Sequence, residues 1–479
     1  MRKTTSLFVC VMLFVCTQYV NAQQNILKYV KVYFSQPVDN TYSNTGVSAN
    51  YVNNAIFDTL AAYINRAKYS VDLEQYEYHT YSGDPIYTAV NNAYTRGVKV
   101  RYIQDGSEAS GNTGVAKLNA SIHVIASPTT SGYGIMHNKV VIIDEYSPDS
   151  TEAITLTGSA DWDADMSSGD YNNMIVFQSK VLARAYTHEF DIMWGDTTHG
   201  GAAGSSLFGK YKPNSGTHVF HIGGSEVELY FSPSDSTNNH IIDVIKSSKN
   251  ELYCGMNDFT DTTDAWNIVY RKTAGVYATA ILDQYSCNGS TPYTTILPNG
   301  LGSNFAGYVN PTYLYHNKYI ITDPSAPCDD PKILTGSHNW TLSANSENDE
   351  NTVIVHNDTI ANLYLQAFAS DFKAISGSAL TKLSFCPAAV NNIADNASRL
   401  DVFPNPFNGS TTINYTPVTD GKVTIEVFNV MGQKISTLVN GPLLAGQHVF
   451  TFNGPGAGVY ILRIQEGDNT IVKKLVFVN

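Results

Sequence analysis

Met136-His137-Asn138-Lys139 and Tyr315-His316-Asn317-Lys318 are two copies of one motif. Each copy continues through four residues into an aspartate, Asp144 or Asp323, so that both read His-x-Lys-x-x-x-x-Asp. Because side chains alternate along a strand, we expect the histidine and lysine on one face and the intervening asparagine on the other. The four apolar residues after Lys139 predict a strand that is buried on both faces. If the two copies meet, two imidazoles and two ammonium groups surround one point.

Such a set of groups suits the cleavage of a phosphodiester without a metal. One imidazole can attack phosphorus while the other, as imidazolium, protonates the leaving alkoxide, because histidine titrates near neutral pH. Lys139 and Lys318 can then stabilise charge on the non-bridging oxygens. A lone buried histidine beside a lysine is usually a core residue, but recurrence of the whole motif favours a functional site.

The sequence around the motif repeats as well. Val32-Tyr33-Phe34-Ser35 recurs as Leu229-Tyr230-Phe231-Ser232, and residues 97–105 resemble residues 275–283, at nearly the same spacing as the two motifs. Segments with a helical period alternate with strand-like segments in both copies. The sequence therefore predicts an α/β unit that is used twice.

The N-terminus has the pattern of a secretory signal. Arg2-Lys3 precedes an apolar run over residues 7–16, and Val20-Asn21-Ala22 is a small-residue cleavage site. The run is too short to span a bilayer, so no transmembrane segment is expected once residues 1–22 are removed. The chain has a net charge of −13, and loss of Arg2-Lys3 makes it more negative. An acidic protein repels polyanions on average, which argues against a nucleic-acid substrate.

Cysteine content and acidic spacing bear on disulfides and metals. The cysteines beyond the signal are Cys254, Cys287, Cys328 and Cys386. In an exported protein this even number predicts one or two disulfides, with three pairings open, and the spacing is not that of a zinc site. Asp161-Trp162-Asp163-Ala164-Asp165 has calcium-loop spacing, but Met166 replaces the required glycine, which favours a solvated acidic loop. No metal or other cofactor is expected.

The duplicated motif, with Thr157-Gly158-Ser159 and Thr335-Gly336-Ser337 after its two copies, resembles the phospholipase D superfamily over roughly residues 28–375. The resemblance implies two pseudo-symmetric α/β/α halves with mixed sheets, residues 28–195 and 217–375, and one active site at their interface. It implies a phosphohistidine intermediate and a catalytic set taken from the two motifs: His137, Lys139, His316, Lys318, Asp144 and Asp323. Strand parity puts the two aspartates on the opposite face, which favours a structural role for them.

The resemblance also implies substrate-binding groups downstream of each motif, and the two copies differ there. The candidates are Ser159, Asp161, Asn172, Ser337, Asn339 and Glu350. Asp161 occupies the position of Asn339, and Asn172 occupies that of Glu350. A carboxylate such as Glu350 can hold an imidazole in one tautomer, as in serine hydrolases. The sequence leaves open which histidine attacks, since the resemblance favours His137 and the more complete second copy favours His316.

The C-terminal residues 400–479 change in character. Short alternating strands separated by Gly and Pro predict a small all-β sandwich. Phe403-Pro404-Asn405-Pro406-Phe407 and the ending Lys473-Lys474-Leu475-Val476-Phe477-Val478 resemble the C-terminal sorting domain of the type IX secretion system in Bacteroidetes. That resemblance implies a secreted or cell-surface protein with the type IX secretion machinery as a partner.

These observations predict a secreted phospholipase D-like phosphodiesterase whose favoured substrate is a phospholipid, cleaved to phosphatidate and an alcohol. A metal-independent endonuclease of the same superfamily is the alternative, and it predicts a basic stripe that leads to the histidines. A catalytically inactive surface-binding protein predicts histidines too far apart to share a phosphate.

Overall fold

The computed structural model describes residues 26–196, 204–385, 400–417, 421–429, 432–466 and 469–478. The predicted signal, residues 1–22, and Cys386 lie outside these residues. Both motif copies belong to one compact unit, Ala22–Cys386, and the C-terminal residues 387–479 belong to a second. Within the described residues, no helix has the length and apolar content needed to cross a bilayer.

The first half is built on a mixed sheet. Its strands are β1 (Val30–Phe34), β2 (Asn50–Tyr51), β3 (Ser70–Gln75), β4 (Lys99–Gln104), β5 (His123–Ala126), β6 (Lys139–Ile143), β7 (Ile154–Gly158) and β8 (Asn173–Gln178). Its helices are α1 (Ile56–Ile64), α2 (Ile86–Thr95), α3 (Ala164–Ser168) and α4 (Lys180–Trp194). In this described part the sheet has eight strands in the order β2-β1-β8-β7-β6-β3-β4-β5. β3 pairs parallel with β4 and antiparallel with the motif strand β6.

The second half repeats this plan. Its strands are β9 (Val219–Ile222), β10 (Ser225–Ser232), β11 (Glu251–Met256), β12 (Tyr277–Asp283), β13 (Phe305–Tyr308), β14 (Lys318–Thr322), β15 (Lys332–Gly336) and β16 (Glu350–His356). Its helices are α5 (Thr237–Ser247), α6 (Thr262–Thr273), α7 (Gln284–Cys287), α8 (Leu297–Leu301), α9 (Leu342–Ser346) and α10 (Asp358–Ser376). The strand order is β13-β12-β11-β14-β15-β16-β10-β9, and seven of these strands correspond to strands of the first sheet. The edge strands differ, because β2 follows β1 and pairs with it in parallel, whereas β9 precedes β10 and pairs with it antiparallel. The predicted duplicated α/β architecture with mixed sheets is confirmed.

Local sequence signals explain where the two longest helices begin and end. Ser179 and Asn357 cap α4 and α10, and Asn357 accepts a hydrogen bond from the Ile360 amide at 2.9 Å. Gly195 and Gly377 follow these helices in the left-handed region, at φ 80° and 75°. The capped helices supply the layer that the two sheets share.

The motif strands are buried on both faces, as their apolar runs predict. Val140 and Ile142 of β6 belong to an inner core that both halves share, together with side chains of α4 and α10. Val141 and Ile143 face an outer core against α1 and α2. The alternation fixes the register of β6, because a one-residue slip would exchange the two faces. The start of each motif strand therefore lies at a defined edge of its sheet.

The C-terminal unit is a small all-β structure, which confirms that expectation. Its strands are β17 (Leu400–Phe403), β18 (Ser410–Tyr415), β19 (Gly421–Asn429), β20 (Lys434–Leu443), β21 (His448–Asn453), β22 (Gly458–Glu466) and β23 (Asn469–Phe477). In the described residues they form a sheet β17-β18-β21 and a sheet β20-β19-β22-β23. Alternate side chains such as Ile413, Ile425 and Leu462 share one core, as in a sandwich.

The cysteines of the second half divide into two groups. Cys254 and Cys287 are free and buried, whereas Cys328 is disulfide-bonded. Burial raises the pKa of the Cys287 thiol to about 12, so this group is an inert core residue. Each of the three complete pairings that the sequence left open uses Cys254 and Cys287, so none of them is present, and the expectation of one disulfide, at Cys328, is the one that fits.

Candidate active site

The imidazole of His137 is held by the other half of the molecule. Its Nδ1 lies 2.9 Å from Oε2 of Glu350, at the start of β16. Ser337, in the turn after β15, donates its hydroxyl to the same carboxylate oxygen at 2.6 Å. The His137 amide donates to the carbonyl of Asp349 at 2.9 Å, which fixes the backbone at this point. The carboxylate that the sequence grouped with the second motif therefore orients the histidine of the first.

His316 has the reciprocal arrangement with an amide in place of the carboxylate. Its Nδ1 lies 3.2 Å from Oδ1 of Asn172, which belongs to the first half. Ser159 donates to that oxygen at 2.7 Å, and the Asn172 amide group donates to the Met166 carbonyl at 3.0 Å. Because Oδ1 of Asn172 can only accept, Nδ1 of His316 carries the proton. The two histidines therefore sit in sites of the same shape and different charge.

Burial governs the titration of both imidazoles. Desolvation, followed by the nearby Lys139, lowers the pKa of His137 well below its ordinary value. Desolvation and then Lys318 and Lys139 lower the pKa of His316 in the same way. His137 and Lys139 both contribute to the shift on His316, so the two motifs lie within electrostatic reach of each other. Burial therefore favours the neutral form of both imidazoles in the free protein.

The two lysines have different partners. Nζ of Lys139 lies 2.9 Å from Oδ1 of Asp161 and donates to the His137 carbonyl at 3.1 Å. Nζ of Lys318 donates to the His316 carbonyl at 2.9 Å. Burial, followed by the charge of Lys139, lowers the pKa of Lys318 to about 7. Burial alone is the main reason that the pKa of Glu350 is raised to about 7.

Asp161 joins the two motifs. It is buried, with 3% of its surface exposed. One carboxylate oxygen contacts Lys139 and accepts from the Gln75 amide at 3.1 Å, and the other lies 3.9 Å from Nε2 of His316. The equivalent Asn339 is turned elsewhere, since its Oδ1 accepts from the Asp258 amide at 3.4 Å. Of the two residues at this position, Asp161 alone contacts catalytic candidates from both motifs.

The asparagines inside the motifs tie the halves together below the site. Asn351 of β16 donates to Asn138 at 3.1 Å, and Asn173 of β8 donates to Asn317 at 3.0 Å. Asn138 in turn donates to the buried Glu74 at 2.8 Å. The face opposite the histidines is therefore a polar network that crosses the interface, in agreement with the strand parity of the motif.

Asp144 and Asp323 do not enter the site. Each follows the far end of its motif strand, with a left-handed φ of 55° and 53°. Asp144 accepts backbone hydrogen bonds from residues 68–70 at 2.7–3.0 Å. Asp323 accepts from residues 249–251 at 2.6–3.0 Å. These contacts favour the structural role that strand parity predicts over the catalytic role that the resemblance implies for the two aspartates.

The glycines of the two Thr-Gly-Ser turns permit a close approach between strands. A Cβ on Gly158 would lie 2.1 Å from the Asn173 carbonyl oxygen, and one on Gly336 would lie 2.1 Å from that of Asn351. The serines that follow are then within reach of Asn172 and Glu350. Each hydroxyl has one proton and, in the free protein, donates it to these residues. Substrate binding by the two serines stays a prediction.

The surroundings of the site contain features that the motifs do not signal. The ring of Tyr76 lies 5.0 Å from that of His137 and 5.0 Å from Nζ of Lys139. Its hydroxyl faces Glu108 at 3.4 Å. Two further acids lie nearby: Asp258, whose pKa burial raises to about 6, is near Lys318, and Glu77 is near Asp161. Tyr76 directly follows the strand β3 in the sequence, but no sequence pattern indicates its position beside the motif.

A family profile described as "Cardiolipin synthase, PLD-like domain" matches residues 60–194 and 241–372, more than half of the chain. The chain belongs to this phospholipase D-like family. A second profile, described as "Secretion system C-terminal sorting domain", matches residues 401–479. The sorting domain indicates secretion, so both resemblances seen in the sequence are confirmed.

Individual relatives are similar to this protein over about a third of the chain. Mitochondrial cardiolipin hydrolase of Xenopus tropicalis is 27% identical over 139 residues, which are 29% of this chain and 60% of that protein. Phospholipase D of Rickettsia bellii is 24% identical over 153 residues, 32% of this chain and 72% of that protein. The names of these relatives support phosphodiester chemistry at the level of the superfamily.

Among solved structures, phosphatidylserine synthase of Haemophilus influenzae is 13% identical to this phospholipase D-like chain. The alignment covers 72% of this chain and 88% of that chain, with a TM-score of 0.49.

Proposed function

We propose that this chain is a secreted phospholipase D-type phosphodiesterase that hydrolyses phospholipid to phosphatidate and an alcohol through a phosphohistidine. The observation that carries the proposal is the crosswise pairing of Glu350 with His137 and of Asn172 with His316. Each half supplies the group that orients the histidine of the other half. Such an arrangement gives one shared site in place of two separate ones.

The unequal partners support a division of roles. An ionised Glu350 keeps the proton on Nδ1 of His137 and leaves the Nε2 lone pair available to attack phosphorus. Nε2 of His316 lies 3.9 Å from the carboxylate of Asp161. A bound phosphate adds a second negative charge near this imidazole. Both negative charges favour the imidazolium form of His316. We therefore assign the nucleophile to His137 and the general acid to His316.

In the first step, Nε2 of His137 forms a bond to phosphorus while the bond from phosphorus to the head-group oxygen breaks. His316 gives its proton to that oxygen, so the alcohol leaves neutral. In the second step, His316 takes a proton from water, whose oxygen attacks phosphorus and releases His137. Lys139 and Lys318 stabilise the non-bridging oxygens in both steps, because preorganised cations are effective in a site removed from water.

The charges around the site favour a lipid over a nucleic acid. Acidic side chains border it, among them Glu77, Glu108 and Asp258. A nuclease needs cations that follow a polyanionic backbone. The acids near the histidines oppose the basic stripe that the endonuclease alternative requires, and the convergence of both motifs on Asp161 opposes the inactive binding protein.

Several exposed apolar side chains follow the carboxyl ends of strands in the second sheet. These strand ends lie at the edge where the motif strand β14 begins. Met256, the last residue of β11, pairs with Lys318, and β12 and β13 run parallel to β11. Tyr285 and Val309 come soon after these parallel strands, and Leu342, 75% exposed, begins α9 after the Gly336 turn. Exposed apolar groups at the sheet edge where the motif strand begins suit contact with a lipid surface. They support a phospholipid as the substrate.

The experiment that tests the proposal compares wild type, His137→Ala and His316→Ala, each with EDTA present. Phosphatidylcholine vesicles and plasmid DNA are the two substrates. We expect wild type to release choline and phosphatidate, both variants to lose this activity by at least a thousandfold, and DNA to remain intact. Nicking of DNA by wild type without lipid turnover would reverse the substrate assignment. Full activity of either variant would end the shared-site mechanism.

A further inference from the structure

The buried carboxylate of Asp161 lies beside the groups that are proposed to bind the substrate phosphate. Asp161 lies 2.9 Å from Nζ of Lys139 and 3.9 Å from Nε2 of His316. Both neighbours are groups that must approach an anionic substrate. A carboxylate in this position repels that substrate, so its presence calls for an explanation other than phosphate binding.

The two halves differ in charge at this position, as they do at Glu350 and Asn172. Where the first half has Asp161, the second has the neutral Asn339, whose oxygen is engaged by the Asp258 amide. Lys318 forms no ion pair with any residue that the structure describes, whereas Lys139 is paired. The site therefore presents one cation whose charge is already compensated and one whose charge is not.

We propose that Asp161 makes the site selective for monoanionic phosphodiesters over dianionic phosphomonoesters, and so hastens release of the phosphatidate product. The inference rests on the proposed function, because it concerns the same phosphate site. A diester carries one negative charge, and the monoester that hydrolysis leaves behind carries up to two. Every added negative charge interacts with the Asp161 carboxylate at short range, where water screens poorly.

The physical effect is discrimination by repulsion. A site with two uncompensated lysines would bind a dianion more tightly than a monoanion, and the enzyme would retain its product. With Asp161 compensating Lys139, the second charge of the monoester has no cation left to pair with. Specificity against an unwanted ligand is commonly achieved in this way, by an unfavourable charge placed where that ligand would sit.

Asp161→Asn tests the inference, because asparagine has nearly the same shape and occurs naturally at the equivalent position 339. The matched control is Asp165→Asn, which removes the same charge from an exposed residue four positions along the chain. Inhibition constants for inorganic phosphate and for dimethyl phosphate are measured at pH 7, near the expected activity maximum, where a large share of the first is a dianion and the second is a monoanion. Inhibition by phosphatidate is measured alongside.

We expect Asp161→Asn to bind inorganic phosphate at least tenfold more tightly, with a clearly smaller gain for dimethyl phosphate and stronger inhibition by phosphatidate. Asp165→Asn should change neither constant by more than about twofold. Because the readout is a gain of binding, a poorly folded variant cannot produce it. An unchanged ratio of the two constants, even with a lower melting temperature, would overturn the inference and leave Asp161 as a structural partner of Lys139. If wild type cleaves no phosphodiester and binds neither anion, the proposed function fails, and this inference fails with it.

Discussion

Glu350, at the start of the strand β16, contacts Nδ1 of His137, which precedes the strand β6 in the other half of the molecule. The two residues are 213 positions apart in sequence and 2.9 Å apart in space. Neither half contains this pair by itself. The shared site is consequently a property of the fused chain.

Replacement of Glu350 by Gln tests the orienting role of this contact. We expect kcat/KM for phospholipid to fall by about 10²- to 10⁴-fold, because the loss of the orienting carboxylate in a serine protease triad has an effect of this order. The fold should persist, since Gln conserves size and can still accept from Ser337. Glu347→Gln, which alters an exposed glutamate three positions earlier, is the control and should retain full activity. Equal activity in the two variants would remove Glu350 from the mechanism.

The dependence of activity on pH follows from two buried groups. Burial raises the pKa of Glu350 to about 7, and the orienting carboxylate is ionised only above that pH. Burial lowers the pKa of Lys318 to about 7, and its ammonium is present only below that pH. The profile of kcat/KM against pH, which reports groups of the free enzyme, should therefore be a narrow bell with its maximum near pH 7.

Lys318→Arg checks the assignment of the alkaline limb. Arginine stays protonated across the accessible pH range, so we expect the fall in kcat/KM above pH 7 to move to higher pH in this variant. Glu350→Gln should instead remove the acid limb. An alkaline limb that stays in place in Lys318→Arg would show that another group controls it.

Asp144 offers a test of the distinction between structural and catalytic residues. Its carboxylate accepts backbone hydrogen bonds from residues 68–70, so Asp144→Ala leaves buried or half-buried amides without partners. We expect the free energy of unfolding to fall by about 2–3 kcal/mol, while kcat per folded molecule stays within about twofold. Thermal unfolding and active-site-normalised turnover are the two measurements. A loss of turnover with unchanged stability would return Asp144 to the catalytic set.

Lys212 connects the segment between the halves to the backbone of the site. Its ammonium is fully buried, contacts Glu189, and lies 2.6 Å from Oδ1 of Asp349. The carbonyl of Asp349 accepts from the His137 amide. We expect Lys212→Met to cost about 3–5 kcal/mol of stability, because it leaves two buried carboxylates unpaired.

Urea unfolding measures the effect of Lys212→Met, with Lys210→Met as the matched control at an exposed lysine. The control should unfold within about 0.5 kcal/mol of wild type. Equal midpoints for the two variants would contradict the role assigned to Lys212.

Periodicity and repetition were sufficient to predict most of the phospholipase D-like half-units. The apolar run after Lys139 has one solution, a strand buried on both faces, and strand parity correctly separated His137 and Lys139 from Asn138. The capping residues Ser179 and Asn357 set the starts of the two longest helices. The fold class was predictable because the chain contains the same pattern of strands and helices twice.

The crosswise contacts were not predictable in the same way. Glu350 lies close in sequence to the second motif, and spacing alone assigned it there, whereas the pseudo-twofold packing carries it to His137. The buried pairing of Asp161 with Lys139 depends on the same packing. Lys212 lies in a segment rich in Gly, Thr and Ser that has the composition of a linker, and its burial arises only when Glu189 and Asp349 close around it. Contacts between distant segments leave no periodic signal.

The most direct test of the shared site uses a phosphodiester with a p-nitrophenolate leaving group, which needs no general acid to depart. His316→Ala should form the covalent bond to phosphorus and then stall, because no base remains to activate water. Rapid quenching followed by peptide mass spectrometry should find the phosphoryl adduct on His137 in that variant, and no adduct in His137→Ala. An adduct on His316 in His137→Ala, or no adduct in either variant while wild type turns the substrate over, would contradict the account.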